Sequence, residues 1–212
     1  MCGAQASPET PRGRGRRRLR DRCARDRSGP TGTEALGASE CWGLRASPDL
    51  VGTDAKADLP LPANVRRYYF PSITHGGAVE TRFRAEGDPV PGGCTLRGNP
   101  NPVRESLRVV QKALVKWVKE GTAPPASRYP MLAKGDLVEP TARALGWPAI
   151  PGAPSPSGKL NRFVDYDFGT TFDYRDLSGV ITRQPPTLRR TFPPRVPRPN
   201  SDANETSALP SV

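Results

Sequence analysis

The sequence is poor in the residues from which metal centres and many catalytic centres are built. It holds one histidine, His75, and four cysteines, Cys2, Cys23, Cys41 and Cys94, none of them in a Cys-x-x-Cys pair. Such a set cannot supply the closely spaced ligands of a familiar zinc site, so the cysteines read as free thiols, and neither a metal nor another cofactor is expected. No run approaches the roughly 18 apolar residues of a membrane span. The basic N-terminus is not followed by the apolar stretch of a signal peptide, which leaves the cytoplasm as the default compartment. Internal repeats and a glycine-rich phosphate loop are also missing. Apolar residues make up only 35% of the chain, less than in an ordinary globular domain, so a large core over all 212 residues is not expected.

What the chain has instead is proline, glycine and arginine. There are 26 prolines and 21 glycines, and the net charge is +11. The charge is concentrated at the start: Arg12, Arg14, Arg16, Arg17, Arg18, Arg20, Arg22, Arg25 and Arg27 face only Glu9, Asp21 and Asp26, a net +6 in the first 27 residues. Residues 1 to about 33 carry almost no large apolar group, cannot offset the entropy of ordering, and are expected to be a disordered tail. Three readings of it stand: a solvated tail, an arm that binds nucleic acid through phosphates, and a mis-set start. The tail lacks the aromatics that stack on bases.

Order is expected from about Gly37. The clearest strand is Asn-Val-Arg-Arg-Tyr-Tyr-Phe-Pro at 64–71, β-branched and aromatic and bounded by Pro62 and Pro71. It leads into Ser-Ile-Thr-His-Gly-Gly at 72–77, while residues 49–61 read as a loop. The best helix follows Asn101 and Pro102, an N-cap candidate with proline at the first helical position. Leu107, Val110, Leu114, Trp117 and Val118 recur at helical steps, and Gly121 supplies the stop. Its apolar stripe must pack on something, most simply a sheet. Residues 163–174 are aromatic and read as one or two short strands, and residues 185–212, rich in proline and arginine, as extended coil.

His75 therefore sits on a glycine-flanked loop between the best strand and the best helix. A lone histidine is more often structural than catalytic, but imidazole titrates near neutrality and suits proton transfer. The words around it carry a resemblance. Val-Arg-Arg-Tyr-Tyr-Phe-Pro-Ser-Ile-Thr-His-Gly-Gly at 65–77, Cys-Thr-Leu-Arg-Gly-Asn-Pro-Asn-Pro at 94–102, Gly-Thr-Ala-Pro-Pro-Ala-Ser-Arg-Tyr-Pro at 121–130 and Trp-Pro-Ala-Ile-Pro-Gly at 147–152 resemble, in order, motifs of the large bacterial "alpha/beta hydrolase domain-containing" family. So does Val-Pro-Arg-Pro-Asn-Ser-Asp-Ala-Asn-Glu-Thr at 196–206, with Ala203 where glycine is usual. The resemblance covers residues 33–212.

What the resemblance implies is an α/β fold, here the C-terminal fragment of an α/β-hydrolase comprising the last strand, the histidine loop and the last helix, with an irregular proline-rich tail. It implies carboxylic-ester hydrolysis with a small-molecule ester as substrate, His75 as the triad histidine, and Glu40 as the acid. Glu40 lies in Ser-Glu-Cys-Trp at 39–42, which resembles the family's Glu-Tyr-Trp or Glu-Phe-Trp, with Cys41 in place of the aromatic. A plain surface carboxylate is the alternative reading of Glu40, and Asp49 and Asp54 are the substitutes. The nucleophile is missing: no serine has glycine two residues to each side, as the strained serine elbow requires, and Gly-Ala-Ser-Glu-Cys at 37–41 fails at its last position. The chain is thus expected to be inactive alone, a basic nucleic-acid-binding or non-catalytic interaction protein being the alternative. The organisation expected is a tail (1–33), the C-terminal part of a hydrolase domain (34–122), an accessory region with short strands (123–182) and an extended tail (183–212). Without neighbouring strands, Tyr68, Tyr69, Leu107, Leu114 and Trp117 would expose apolar surface, so a marginally stable or aggregation-prone polypeptide is expected.

Overall fold

A computed structural model of the chain describes residues 30–73, 75, 101, 103–174 and 177–199. The arginine cluster, Cys2, Cys23, Gly76, Gly77, Cys94, Pro102 and the Asn-Glu-Thr words at 204–206 lie outside the described residues. Within them the chain is a mixture of short helices, one long helix and four two-stranded sheets.

The centre is a parallel pair. Strand β1 (Gly32–Gly37) runs beside β2 (Val65–Phe70), with Gly32 opposite Val65 and Gly37 opposite Phe70. β2 is the strand expected from its β-branched and aromatic residues. β1 is a correction: Gly-Thr-Glu-Ala-Leu-Gly has little intrinsic β preference and becomes a strand because β2 offers it a ladder. Order accordingly begins before Gly37, and the tail boundary at 33 moves back, since the Gly32 amide donates to the Asn64 carbonyl at 3.0 Å and the Asn64 side chain donates to the Pro30 carbonyl at 3.0 Å. On its other edge β2 meets a single parallel bridge between Tyr68 and Arg128, where the Tyr69 amide donates to the Arg128 carbonyl at 2.8 Å.

Between the two strands the chain forms α1 (Ala38–Trp42) and α2 (Ser47–Val51). The loop expected over 49–61 thus starts in the second half of a helical turn, supported by Pro48 at its start and Asp49 in its first turn. Helix α3 (Arg104–Glu120) ends at Gly121, whose φ of 73° closes it in the left-handed conformation. Asn101 does not cap it. The cap position is Val103, and the Asn101 side chain instead donates through Nδ2 to the Pro71 carbonyl at 3.3 Å.

Because side chains alternate along a strand, β2 supplies two cores at once. Tyr68 and Phe70 pack with Ile73, Val103 and Val110 on the α3 side, while Tyr69 packs with Cys41, Leu50, Val51, Ala55 and Leu137 on the other. Both faces of the pair are covered, as parallel strands require. Tyr68 and Tyr69 are therefore buried rather than exposed, contrary to the expectation that this surface would be open. The stripe on α3 is only half used: Val110 is buried, Leu107 is partly covered, and Val118 stays exposed.

Farther on, β3 (Leu137–Val138) and β8 (Val196–Pro197) pair antiparallel, as do β4 (Val164–Asp167) and β7 (Thr187–Thr191), and β5 (Phe172–Asp173) and β6 (Ser178–Gly179). Helix α4 (Ala142–Leu145) lies between β3 and β4. Two strands, β7 and β8, thus fall in the segment expected to be extended coil. Val196 is 0% exposed, the Arg195 amide donates to Ser47 Oγ at 3.2 Å, and the Arg198 amide donates to the Asp136 carbonyl at 2.7 Å. Around β8, then, the proline- and arginine-rich end is a docked strap.

Candidate functional site

Parallel neighbours end at the same edge of their sheet, so the loops that leave them start side by side. Gly37 and Phe70 are register partners at the ends of β1 and β2. Three residues beyond Gly37 stands Glu40, within α1, and five beyond Phe70 stands His75. The two turns are tied together where the Ser39 amide donates to the Ile73 carbonyl at 3.3 Å. The result is a contact of 2.7 Å between His75 Nδ1 and Glu40 Oε1.

The carboxylate is held at both oxygens. Oε2 accepts from the Gly37 amide at 2.7 Å, the glutamate half of a capping box at the start of α1, and leaves Oε1 for the imidazole. Burial pushes the Glu40 carboxyl up, but the bonds from His75, from its own amide and from Gly37, with attraction to the His75 ring, outweigh it and hold the group below its usual range. Glu40 is ionised at neutral pH. The side chain of Glu40 is 17% exposed and that of His75 is 72% exposed, so the acid is sheltered and the base is open to solvent. An ionised carboxylate can only accept, so Nδ1 is the donor in this contact and Nε2 is the ring nitrogen left facing away from Glu40. Among the described residues nothing bonds to Nε2.

The substitute acids are elsewhere. Asp54 is exposed and accepts from the Lys56 amide at 3.3 Å. Asp49 lies in the first turn of α2. Its carboxyl is raised by burial, against a lowering pull from Arg67 and with a further push from Glu34, and neither aspartate bonds to His75. Ser39 Oγ lies 3.5 Å from Glu40 Oε2, on the side of the acid rather than the ring. Cys41, where the family resemblance implies an aromatic, is a buried free thiol pushed up to about 12 by burial and then by the charges of Glu40 and Asp49. A thiol held that firmly protonated is a packing residue, not a nucleophile.

Comparisons with protein-family models, with curated proteins and with solved structures find no match. The site is therefore read from its own geometry. Among the described residues no helix is long and apolar enough to cross a membrane, and no group of three His, Cys, Asp or Glu side chains could hold a metal ion. Of the candidate residues, then, Glu40 and His75 come together, while Asp49 and Asp54 do not join them. Sequence reasoning missed the backbone that makes the site: the Gly37 amide and the Ile73 carbonyl. A signal for the first was present, since glycine at the end of a strand followed three residues later by glutamate is the spacing of a helix cap.

Proposed function

We propose that the chain is the carboxyl-terminal part of a serine-type α/β-hydrolase acting on small carboxylic esters, contributing the histidine and the acid of the triad, with the serine supplied by a segment that this sequence does not contain. The reading is supported above all by the 2.7 Å contact of His75 Nδ1 with Glu40 Oε1 at the shared edge of two parallel strands. It is supported further by chain order, since acid precedes histidine in α/β-hydrolases. In this chemistry Nε2 of His75 takes the proton of the attacking serine hydroxyl and returns it to the departing alcohol. A water then attacks the acyl-enzyme by the same route. Ionised Glu40 orients the ring and stabilises the imidazolium that forms at each step.

The test starts from the DNA upstream of this reading frame, which should encode a Gly-x-Ser-x-Gly elbow, in frame or shifted. The joined chain should turn over p-nitrophenyl acetate, and His75→Ala should lower kcat by about four orders of magnitude. Absence of any elbow, or turnover indifferent to His75→Ala, overturns the reading; no turnover at all in a joined chain that carries the elbow overturns it too and would leave a non-catalytic interaction protein.

A second reading rests on the nine arginines among the first 27 residues: binding to nucleic acid through phosphates, without sequence readout. Retention on DNA that weakens with salt and disappears when residues 1–29 are deleted would carry it. The deletion stops there because Gly32 and Thr33 belong to β1.

A further inference from the structure

Gly37 has an ordinary extended backbone, φ −108° and ψ 177°, which any residue can adopt. Its backbone angles therefore do not call for glycine. Space does. A Cβ built on Gly37 would lie 2.6 Å from Glu40 Oε2, 2.5 Å from Ile73 Cγ1 and 2.8 Å from Ile73 Cδ1, all closer than real Cβ atoms come to their neighbours. The same residue donates its amide to Glu40 Oε2 at 2.7 Å. The carboxylate thus rests directly on the bare α-carbon and the N–H beside it, and the buried Ile73, on the loop that carries His75, closes the other side.

We propose that Gly37 is the positioning residue of the Glu40–His75 pair. Its amide fixes Oε2, and its lack of a side chain admits the carboxylate between β1 and the histidine loop, so that Oε1 is turned to Nδ1. Any side chain at position 37 displaces the carboxylate and Ile73 together, and the imidazole loses the acceptor that fixes its tautomer. The proposal rests on the pair described above and concerns how it is held.

His75 is the single histidine of the chain, so the imidazole nitrogen spectrum of histidine-labelled protein reports this ring alone. At a pH where the spectrum itself shows the ring to be uncharged, the wild-type ring should be mainly the Nδ1–H tautomer, and Glu40→Ala should return it mainly to Nε2–H. A wild-type ring already in the Nε2–H form, or one unmoved by Glu40→Ala, means that the pair does not form, and the triad reading fails with it. Gly37→Ala should move the tautomer as far as Glu40→Ala does. Since the new methyl also strikes Ile73, the same change is read in an Ile73→Ala background, which relieves that clash and keeps the one with Glu40. Retention of Nδ1–H by Ile73→Ala and its loss in the double variant supports the proposal. Nδ1–H retained in the double variant overturns it. So does an Ile73→Ala ring that has shifted as far as the double variant, because core packing would then set the pair without Gly37.

Discussion

A carboxylate with one oxygen on a backbone amide and the other on an imidazole gains only while it is charged. Glu40 is held below the usual carboxylate range despite the burial that opposes it, so its folded-state pKa lies under its unfolded value. The stability that follows is present above the unfolded pKa and is lost as pH falls through the folded one. The expected outcome is that Glu40→Gln lowers the denaturation midpoint at pH 7 and that the gap to wild type closes on acidification through the carboxylate range. A gap of constant size from pH 7 down to about pH 3, below the ordinary glutamate pKa, would mean that the charge of Glu40 contributes nothing to the folded state. For Cys41 burial works the other way: the thiol is 1% exposed and pushed up to about 12, so alkylating reagents should reach it only on unfolding.

At the scale of elements, stability should follow burial rather than sequence periodicity. Val110 and Val118 belong to the same apolar stripe of α3, yet Val110 is in the core and Val118 is 63% exposed. Val110→Ala should cost on the order of 1–3 kcal/mol by denaturant midpoint, and Val118→Ala almost nothing. The strap that ends in β8 gives a second comparison. Val196→Asp places an unpaired charge at a fully buried position and should cost about 3–5 kcal/mol, whereas a free tail would tolerate it. The same contrasts explain what was legible beforehand. β2 could be read because Val65, Tyr68, Tyr69 and Phe70 favour a pleated surface in any setting, and α3 because five apolar residues keep helical spacing. β1, β8 and the strap could not, since Gly32, Glu34, Ala35 and Pro197 have no β preference of their own and are extended only because a partner strand lies beside them. The Glu40–His75 contact depended on the parallel pairing of β1 with β2, which local periodicity does not encode. Before the structure it rested on resemblance alone.

At the scale of the whole molecule, cohesion is uneven. Both hydrophobic clusters lie against the parallel pair, and the apolar surface left open lies elsewhere, on Val115 and Val118 of α3 and on Leu177, Val180 and Leu188 of the later hairpins. Two-stranded sheets without a covered face are marginal in water. β4–β7 and β5–β6 hold together largely through pairs such as Arg183 with Asp167, Arg190 with Asp165 and the tilted and edge-on ring contacts of Phe168, Phe172 and Tyr174. Ion pairs this open to solvent, partly so for Arg190 with Asp165, add about 1 kcal/mol each. Opening should therefore be graded rather than all-or-none. The Tyr69 amide, bonded across the sheet to Arg128, should be among the slowest to exchange with solvent. The Val180 amide, bonded to the Thr171 carbonyl at 3.3 Å, should exchange orders of magnitude sooner. Hydrogen exchange read residue by residue decides the matter. Equal protection at Tyr69 and Val180, together with one sharp melt seen alike by tryptophan fluorescence and by circular dichroism, would mean that the hairpins are bound into the core more tightly than their contacts account for.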